Sequence, residues 1–299
     1  MVFNRPDPTK TVFEAIRQAK PPRLYIASDG PRQGKQGEAE KVKQVRDYVL
    51  ANIDWDCEVK VLLREENLGC KLAVDGAVKW FFSLESKGIV LEDDCLPSLR
   101  FFHFCEEMLG KFENNPKIAA ICGRNELDTF KLDNGYFFTR KFFAWGWASW
   151  ASRIKHADAD KGLSDLNFNY KKNLSFLESL LVKSYVTTLQ SGAINSWDWP
   201  YDLSFRERDM LTVLPAKNLV RNIGFGEDAT HTKTAATDEV PWHHDLTVDL
   251  SRKIKIKPSD RFIKKFIKKN HKNTFTLFVS ANLNTLRPWI NLYKVVVRR

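Results

Sequence analysis

Apolar positions along this chain switch repeatedly between a helical and a strand-like rhythm. From Thr11 to Lys20, Val12, Phe13, Ile16 and Ala19 fall on one helical face, and Pro21-Pro22 then stops the helix. Arg23 to Ser28 is a short apolar run closed by the turn Asp29-Gly30-Pro31, which reads as a strand. The alternation recurs: a helix over Glu38 to Ala51, a strand over Cys57 to Leu63, a break at Asn67-Leu68-Gly69, a helix from Lys71 to Leu84, and a strand over Gly88 to Leu91. Further on, the pattern predicts a helix over Phe101 to Phe112, a strand over Lys117 to Cys122, a β segment between Gly135 and Phe143, and a helix over residues 172 to 190. Short strands follow at Leu211 to Leu214 and Leu219 to Ile223, then a polar, small-residue loop from Gly224 to Thr237.

Strands alternating with helices of this length predict an α/β fold whose parallel sheet is covered on both faces. In such sheets ligands bind beyond the carboxyl ends of the strands. Three of those ends are polar here: Ser28-Asp29, Arg64 to Asn67, and Glu92-Asp93-Asp94.

Composition narrows the class. With 299 residues, 43% hydrophobic and 28% charged, the chain can bury a substantial core, which excludes a disordered or fibrous protein. The net charge of +10 is unevenly placed. Residues 251–299 hold fourteen Lys or Arg against the single acid Asp260, so this segment carries +13 and residues 1–250 carry −3. The basicity therefore belongs to the last segment, and a whole-surface nucleic-acid footprint is excluded. Within that segment Phe262-Ile263 and Phe266-Ile267 alternate with Lys264-Lys265 and Lys268-Lys269, the pattern of a basic amphipathic helix over Pro258 to Lys272. It suits an interfacial helix on an anionic membrane, or a flank whose apolar side packs on the body.

Five cysteines without a C-x-x-C pair fit reduced thiols better than a disulfide or zinc framework. No apolar run reaches the length of about 18 residues that spans a bilayer, and the first residues lack a signal-like pattern. A cytoplasmic location, peripheral at the inner face of the membrane if the basic helix binds there, is expected.

The chemistry concentrates in Glu92-Asp93-Asp94. Three adjacent carboxylates at the end of an apolar strand repel one another and are costly to bury without a partner. A hard divalent cation, Mn²⁺ or Mg²⁺, would resolve the conflict and bridge to substrate phosphates.

At this point the chain resembles the GT-A glycosyltransferases, in particular bacterial family-2-like enzymes and N-acetylglucosaminyltransferase I. The resemblance runs over residues 1 to 235: Phe3-Asn4-Arg5-Pro6, Ser28-Asp29-Gly30, Asn67-Leu68-Gly69, Val90 to Asp94, Phe142 to Trp150, Trp197-Asp198-Trp199 and Phe225 to His231. It implies a GT-A, Rossmann-like fold with a mixed, mainly parallel sheet and helices on both faces, a catalytic domain over 1–250 and a basic helical extension over 251–299. The implied activity is metal-dependent, inverting sugar transfer from a nucleotide diphosphate-sugar donor to a hydroxyl of a glycan or lipid-linked acceptor, as in polysaccharide biosynthesis.

The resemblance also assigns roles. Asp94 becomes the metal ligand of a DxD-type motif, with Glu92 and Asp93 at the ribose or at metal-bound water. Arg5, Asp29, Asn67 and Lys71 line the nucleotide pocket, where Asp29 accepts from the base. At least one of Trp145 and Trp147 lines the donor sugar, and His231, with Thr230, reaches the phosphates or the metal. Asp198 is the catalytic base, with Asp202, Glu227 and Asp228 as competitors.

Two rival classes stand beside this reading. A sugar-nucleotide nucleotidyltransferase should carry a Gly-rich phosphate loop near its first strand, and Phe3 to Thr11 contains no glycine. A non-catalytic membrane-associated module would leave the acids dispensable. Nucleic acid is not expected as a partner, because the body lacks the aromatic and basic interleaving of RNA-binding sheets.

Overall fold

The computed structural model describes residues 1–128, 132, 134–157, 159, 174–192, 194–225 and 240–270. These residues form a mixed α/β protein. The first helix, α1, spans Pro6–Ala19 and starts earlier than the apolar pattern predicts. Prolines 6 and 8 are compatible with a first turn, where an N–H would find no partner in the helix. Lys20 then closes α1 in the left-handed region, at φ 47°.

Strand β1 (Arg23–Ser28) pairs in parallel with β2 (Glu58–Leu63), and α2 (Glu38–Ala51) connects them. Helix α3 (Gly69–Leu84) leads into β3 (Lys87–Val90). The short β4 (Cys95–Pro97) follows, then α4 (Leu99–Phe112), β5 (Ile118–Cys122), β6 (Tyr136–Thr139), β7 (Trp147–Trp150) and the single turn α5 (Ala151–Ile154). Helix α6 (Phe176–Gln190) is capped by Ser175, which accepts from the Glu178 N–H at 3.3 Å. The described elements close with α7 (Asp198–Glu207), β8 (Leu211–Pro215), β9 (Val220–Asn222) and α8 (Asp260–Asn270).

Five strands make the central sheet in the order β3-β7-β5-β8-β6. The sheet is mixed as expected, but its pairings are not mainly parallel. Only β5 and β8 pair in parallel, while β7 runs antiparallel to both β3 and β5, and β6 runs antiparallel to β8. The cause is β7: Trp147-Ala148-Ser149-Trp150 is buried on both faces and inserts between two strands that would otherwise be neighbours. A separate antiparallel pair joins β4 to β9 with Cys95 opposite Asn222, which brings the acidic strand end against the end of β9.

The two main cores lie on either side of this sheet. One contains Trp147, Phe142, Phe205, Tyr201 and Phe262; the other contains Phe101, Phe104, Met108, Tyr136 and Val213. Residues beyond Leu250 take part in both. Ile254 and Ile256 pack on the second core, and Phe262, Ile263, Phe266 and Ile267 of α8 are buried in the first. The apolar face of the basic helix is therefore spent on the body, against Phe137 and Phe143, and is not available to insert into a membrane.

Candidate active site

The polar strand ends are tied together before any ligand arrives. Arg46 of α2 donates from Nε to Ser28 Oγ at 2.9 Å, and from Nη2 to the carbonyls of Asp29 at 3.0 Å and Arg64 at 2.6 Å, clamping the ends of β1 and β2. Gly30 lies where a Cβ would collide with the Glu65–Glu66 backbone. Asn67 Nδ2 donates to the Gly30 carbonyl at 2.8 Å and to Asp29 Oδ2 at 2.9 Å.

Asp29 is buried, and its carboxylate accepts from the backbone N–H groups of Leu68 and Gly69, both at 3.1 Å. It thus supplies the start of α3 with an anionic acceptor that no local side chain provides, satisfying N–H groups that the helix leaves orphaned.

The acids after β3 meet Arg5 from the segment before α1. Arg5 Nη1 donates to Asp94 Oδ2 at 2.9 Å, and Nη2 is bonded to Asp93 Oδ1. Burial alone would depress the Arg5 guanidinium, but Asp93 and Asp94 outweigh it and hold its pKa above the ordinary value. Burial raises Asp93 above the usual carboxylate range despite the pull of Arg5. Glu92 is pushed up to about 8 by burial and then by the charges of Asp94, Asp93 and Asp198. Asp93 Oδ2 is a buried oxygen with no hydrogen-bond partner among the described residues.

The backbone of the next strand closes on this group. The Ile223 N–H donates to the Asp94 carbonyl at 2.8 Å, and the Gly224 N–H to Asn222 Oδ1 at 2.8 Å. A Cβ at position 224 would overlap the Asp94 carboxylate and come within 2.6 Å of Arg5 Nη1, so only glycine fits there.

Aromatic residues and a further carboxylate, Asp198, join the lining. Trp145 carries the Arg124 guanidinium 4.7 Å from its ring centroid, and Arg124, only 3% exposed, is anchored by Glu126 at 2.9 Å. Asp198 opens α7 and accepts from the Ser196 hydroxyl, and it does not serve as the side-chain cap of that helix. Trp199 stacks on Tyr185 at 4.2 Å. Helix α7 is fastened to α3 by Tyr201, whose hydroxyl donates to Asp75 Oδ1 at 2.9 Å.

The cavity these groups border is open, with a volume of about 780 Å³. Of the residues singled out in the sequence, Arg5, Asp29, Asn67, Glu92, Asp93, Asp94, Trp145 and Asp198 all line it. Two do not. Trp147 is fully buried, packed edge-on against Phe142 at 5.3 Å and beside Trp197 at 6.0 Å, because it begins β7 inside the sheet. Lys71 sits half-buried in the first turn of α3, outside the lining. Thr230 and His231, with Glu227 and Asp228, fall outside the described residues.

Asp202, the remaining competitor for the base, is fully buried and bonded to the Phe142 N–H at 2.6 Å and Arg206 Nε at 2.7 Å, away from the cavity. Arg64, part of the polar end of β2, and Cys70, inside the Asn67 to Lys71 segment expected at the pocket, also line the cavity. Sequence reasoning passed over Arg32 and Asn222, whose only signal is position, Arg32 after the β1 turn and Asn222 as the last residue of β9.

Hard carboxylate oxygens with a surplus of negative charge suit Mn²⁺ or Mg²⁺, and the orphaned Asp93 Oδ2 is consistent with a missing partner. Among the described residues no three His, Cys, Asp or Glu side chains converge as a ready-made metal cage. A cation seated at Asp94 would need substrate phosphates and water to complete its shell. No protein-family model matches this chain, and no curated protein matches it either.

Proposed function

We propose that this protein is a glycosyltransferase that moves a sugar from a nucleotide diphosphate-sugar donor to a hydroxyl group of a glycan or lipid-linked acceptor, with inversion. The observation that carries this reading is a single cavity whose lining combines the Arg5–Glu92–Asp93–Asp94 group with Trp145 and Asp198. Acids alone would suit many phosphate enzymes. Acids that share a cavity with aromatic surface and a separate carboxylate suit a ligand with a diphosphate at one end and a sugar at the other.

In the proposed reaction the acceptor oxygen attacks the anomeric carbon while the bond from that carbon to the diphosphate breaks. The proton of the acceptor hydroxyl passes to the Asp198 carboxylate, which Ser196 orients. Trp145 offers its indole face to the sugar, and Arg124 behind it fixes the ring. Asn67 and the Asp29 carboxylate border the nucleoside end, and Arg32 and Arg64 add positive charge on the same side of the cavity. A divalent cation held by Asp94 would neutralise the diphosphate as it leaves.

The test is a thermal-shift screen of nucleotide diphosphate sugars with and without Mn²⁺ on the wild type and on Asp94→Asn, followed by detection of the released nucleotide. A metal-dependent shift that the variant loses, with nucleotide release upon adding an acceptor, is the expected result. Folded wild-type protein that responds to no donor would sink the proposal.

A further inference from the structure

The exposed side of the C-terminal helix carries a second surface, unrelated to the cavity. With Phe262, Ile263, Phe266 and Ile267 buried against the body, α8 shows solvent a row made of Arg261, Lys264, Lys265, Lys268 and Lys269. The segment leading to it continues the pattern. Ile254 and Ile256 pack inward on the second core, so Lys253, Lys255 and Lys257, which alternate with them, are exposed.

Over residues 251–270 this surface includes one acid, Asp260. Lys253, Lys255, Lys257, Lys264, Lys265 and Lys268 make no ion pair among the described residues. Such a concentration of like charge repels itself and contributes nothing to folding. Among the described residues the body's ion pair to these lysines is Glu126 with Lys269, at 4.0 Å, and it leaves the six lysines above without an acidic partner.

We infer that this lysine face docks the protein on an anionic lipid surface, electrostatically and without insertion. The apolar face is already occupied, so the attraction comes from the lysines alone, about fivefold in partition for each. Lipid is favoured over nucleic acid by two features. Seven of the nine exposed cations of residues 251–270 are point-charge lysines, and no exposed aromatic stands among them for base stacking. The sequence beyond, residues 271–299, mixes cations with Phe, Leu, Val, Trp and Tyr, as do segments at a membrane boundary.

The experiment is co-sedimentation of the full-length chain with phosphatidylcholine vesicles, with and without about 30% phosphatidylserine. It is repeated with the exposed triple substitution Lys264→Glu, Lys265→Glu, Lys268→Glu, whose fold is checked by circular dichroism. The expected result is binding only to the anionic vesicles, lost in high salt, and weakened at least a hundredfold in the triple variant. Equal binding to neutral vesicles, undiminished binding of the folded triple variant, or retention of an RNA oligonucleotide by the wild type with no vesicle binding would each overturn it. Sugar-donor binding is unaffected in either outcome, so this inference and the proposed function stand or fall separately.

Discussion

Arg5 Nη1 lies 2.9 Å from Asp94 Oδ2, while the same guanidinium holds Asp93 through its other nitrogen, so one cation from the N-terminal segment bridges two acids nearly ninety residues away. The Arg5 side chain is 19% exposed and that of Asp93 only 5%, so solvent screens this group weakly. Removing the arginine leaves the acids uncompensated. Arg5→Ala should therefore destabilise the protein by about 3 kcal/mol in urea denaturation. Arg5→Lys keeps the charge but cannot span both carboxylates, and should recover part of that loss while still weakening nucleotide-sugar binding by calorimetry. Wild-type stability in Arg5→Ala would mean that the bridge is incidental.

Gly224 gives a sharper probe of the same group. Its backbone touches the Asp94–Arg5 pair so closely that a methyl group must displace one of them. Gly224→Ala should lower the affinity for a nucleotide diphosphate sugar at least tenfold, with little change in overall stability. Gly110 in α4 is the matched control, since a Cβ there meets nothing within 4 Å. Gly110→Ala should stabilise the fold by up to about 1 kcal/mol and leave binding alone. Equal behaviour of the two variants in a binding titration would remove Gly224 from the site.

The contrast between Trp145 and Trp147 shows how far the sequence could be read. Both stand in one aromatic run, and a regular strand would turn residues two apart to the same side. Gly146, at φ +67° and so placed that a Cβ would come within 2.8 Å of Val220 Cγ2, breaks that alternation, so Trp145 borders the cavity while Trp147 enters the core. The close approach that a glycine between two tryptophans suggests is real, but what it approaches is Val220 and Leu91.

Other features divide on the same principle. Helices α2 and α3 and strands β1 to β3 were legible because each has its own periodicity and a turn residue at its end. Strand β7 was not, because Trp-Ala-Ser-Trp buried on both faces has no polar alternation to announce it. The polar strand ends drew attention to Asp29 and the acidic triplet. That Asp29 also caps α3 depends on contacts between residues about forty apart, which no local pattern records.

Helix α7, which carries Asp198, is held by buried polar partners rather than by its own propensity. Asp202 binds the Phe142 N–H and Arg206, Arg206 binds Glu178 of α6 at 3.0 Å, and Tyr201 reaches Asp75 of α3. Asp202→Asn should cost about 3 kcal/mol, because it leaves the buried Arg206 charge short of a partner. Tyr201→Phe should cost about 1 kcal/mol. Under the proposed function, the second variant should lower kcat for sugar transfer several-fold with the donor KM unchanged, since it loosens the base and not the diphosphate site. A change confined to donor KM would show that α7 does not position the base.

Glu92 predicts a pH dependence whose sign differs from that of an ordinary paired carboxylate. Its folded-state value near 8 lies above the ordinary value of 4.5, so between these limits the native state binds the extra proton. Stability should therefore fall as pH rises from about 5 to 8, by at most about 1 kcal/mol per unit near the middle of the window. It should level off above 8. Glu38, held down to about 2 first by its bonds to Arg32, acts oppositely: its contribution is present above pH 4.5 and disappears as pH falls towards 2. Urea denaturation of metal-free wild type and Glu92→Gln across pH 5 to 8.5 separates the two, since glutamine at 92 cannot titrate and should flatten the upper slope alone. Adding Mn²⁺ and a bound donor should also flatten it, because a cation among the carboxylates favours the ionised form that burial opposes. A slope that persists unchanged in Glu92→Gln would assign the proton to Asp93, the other acid of the group that burial raises.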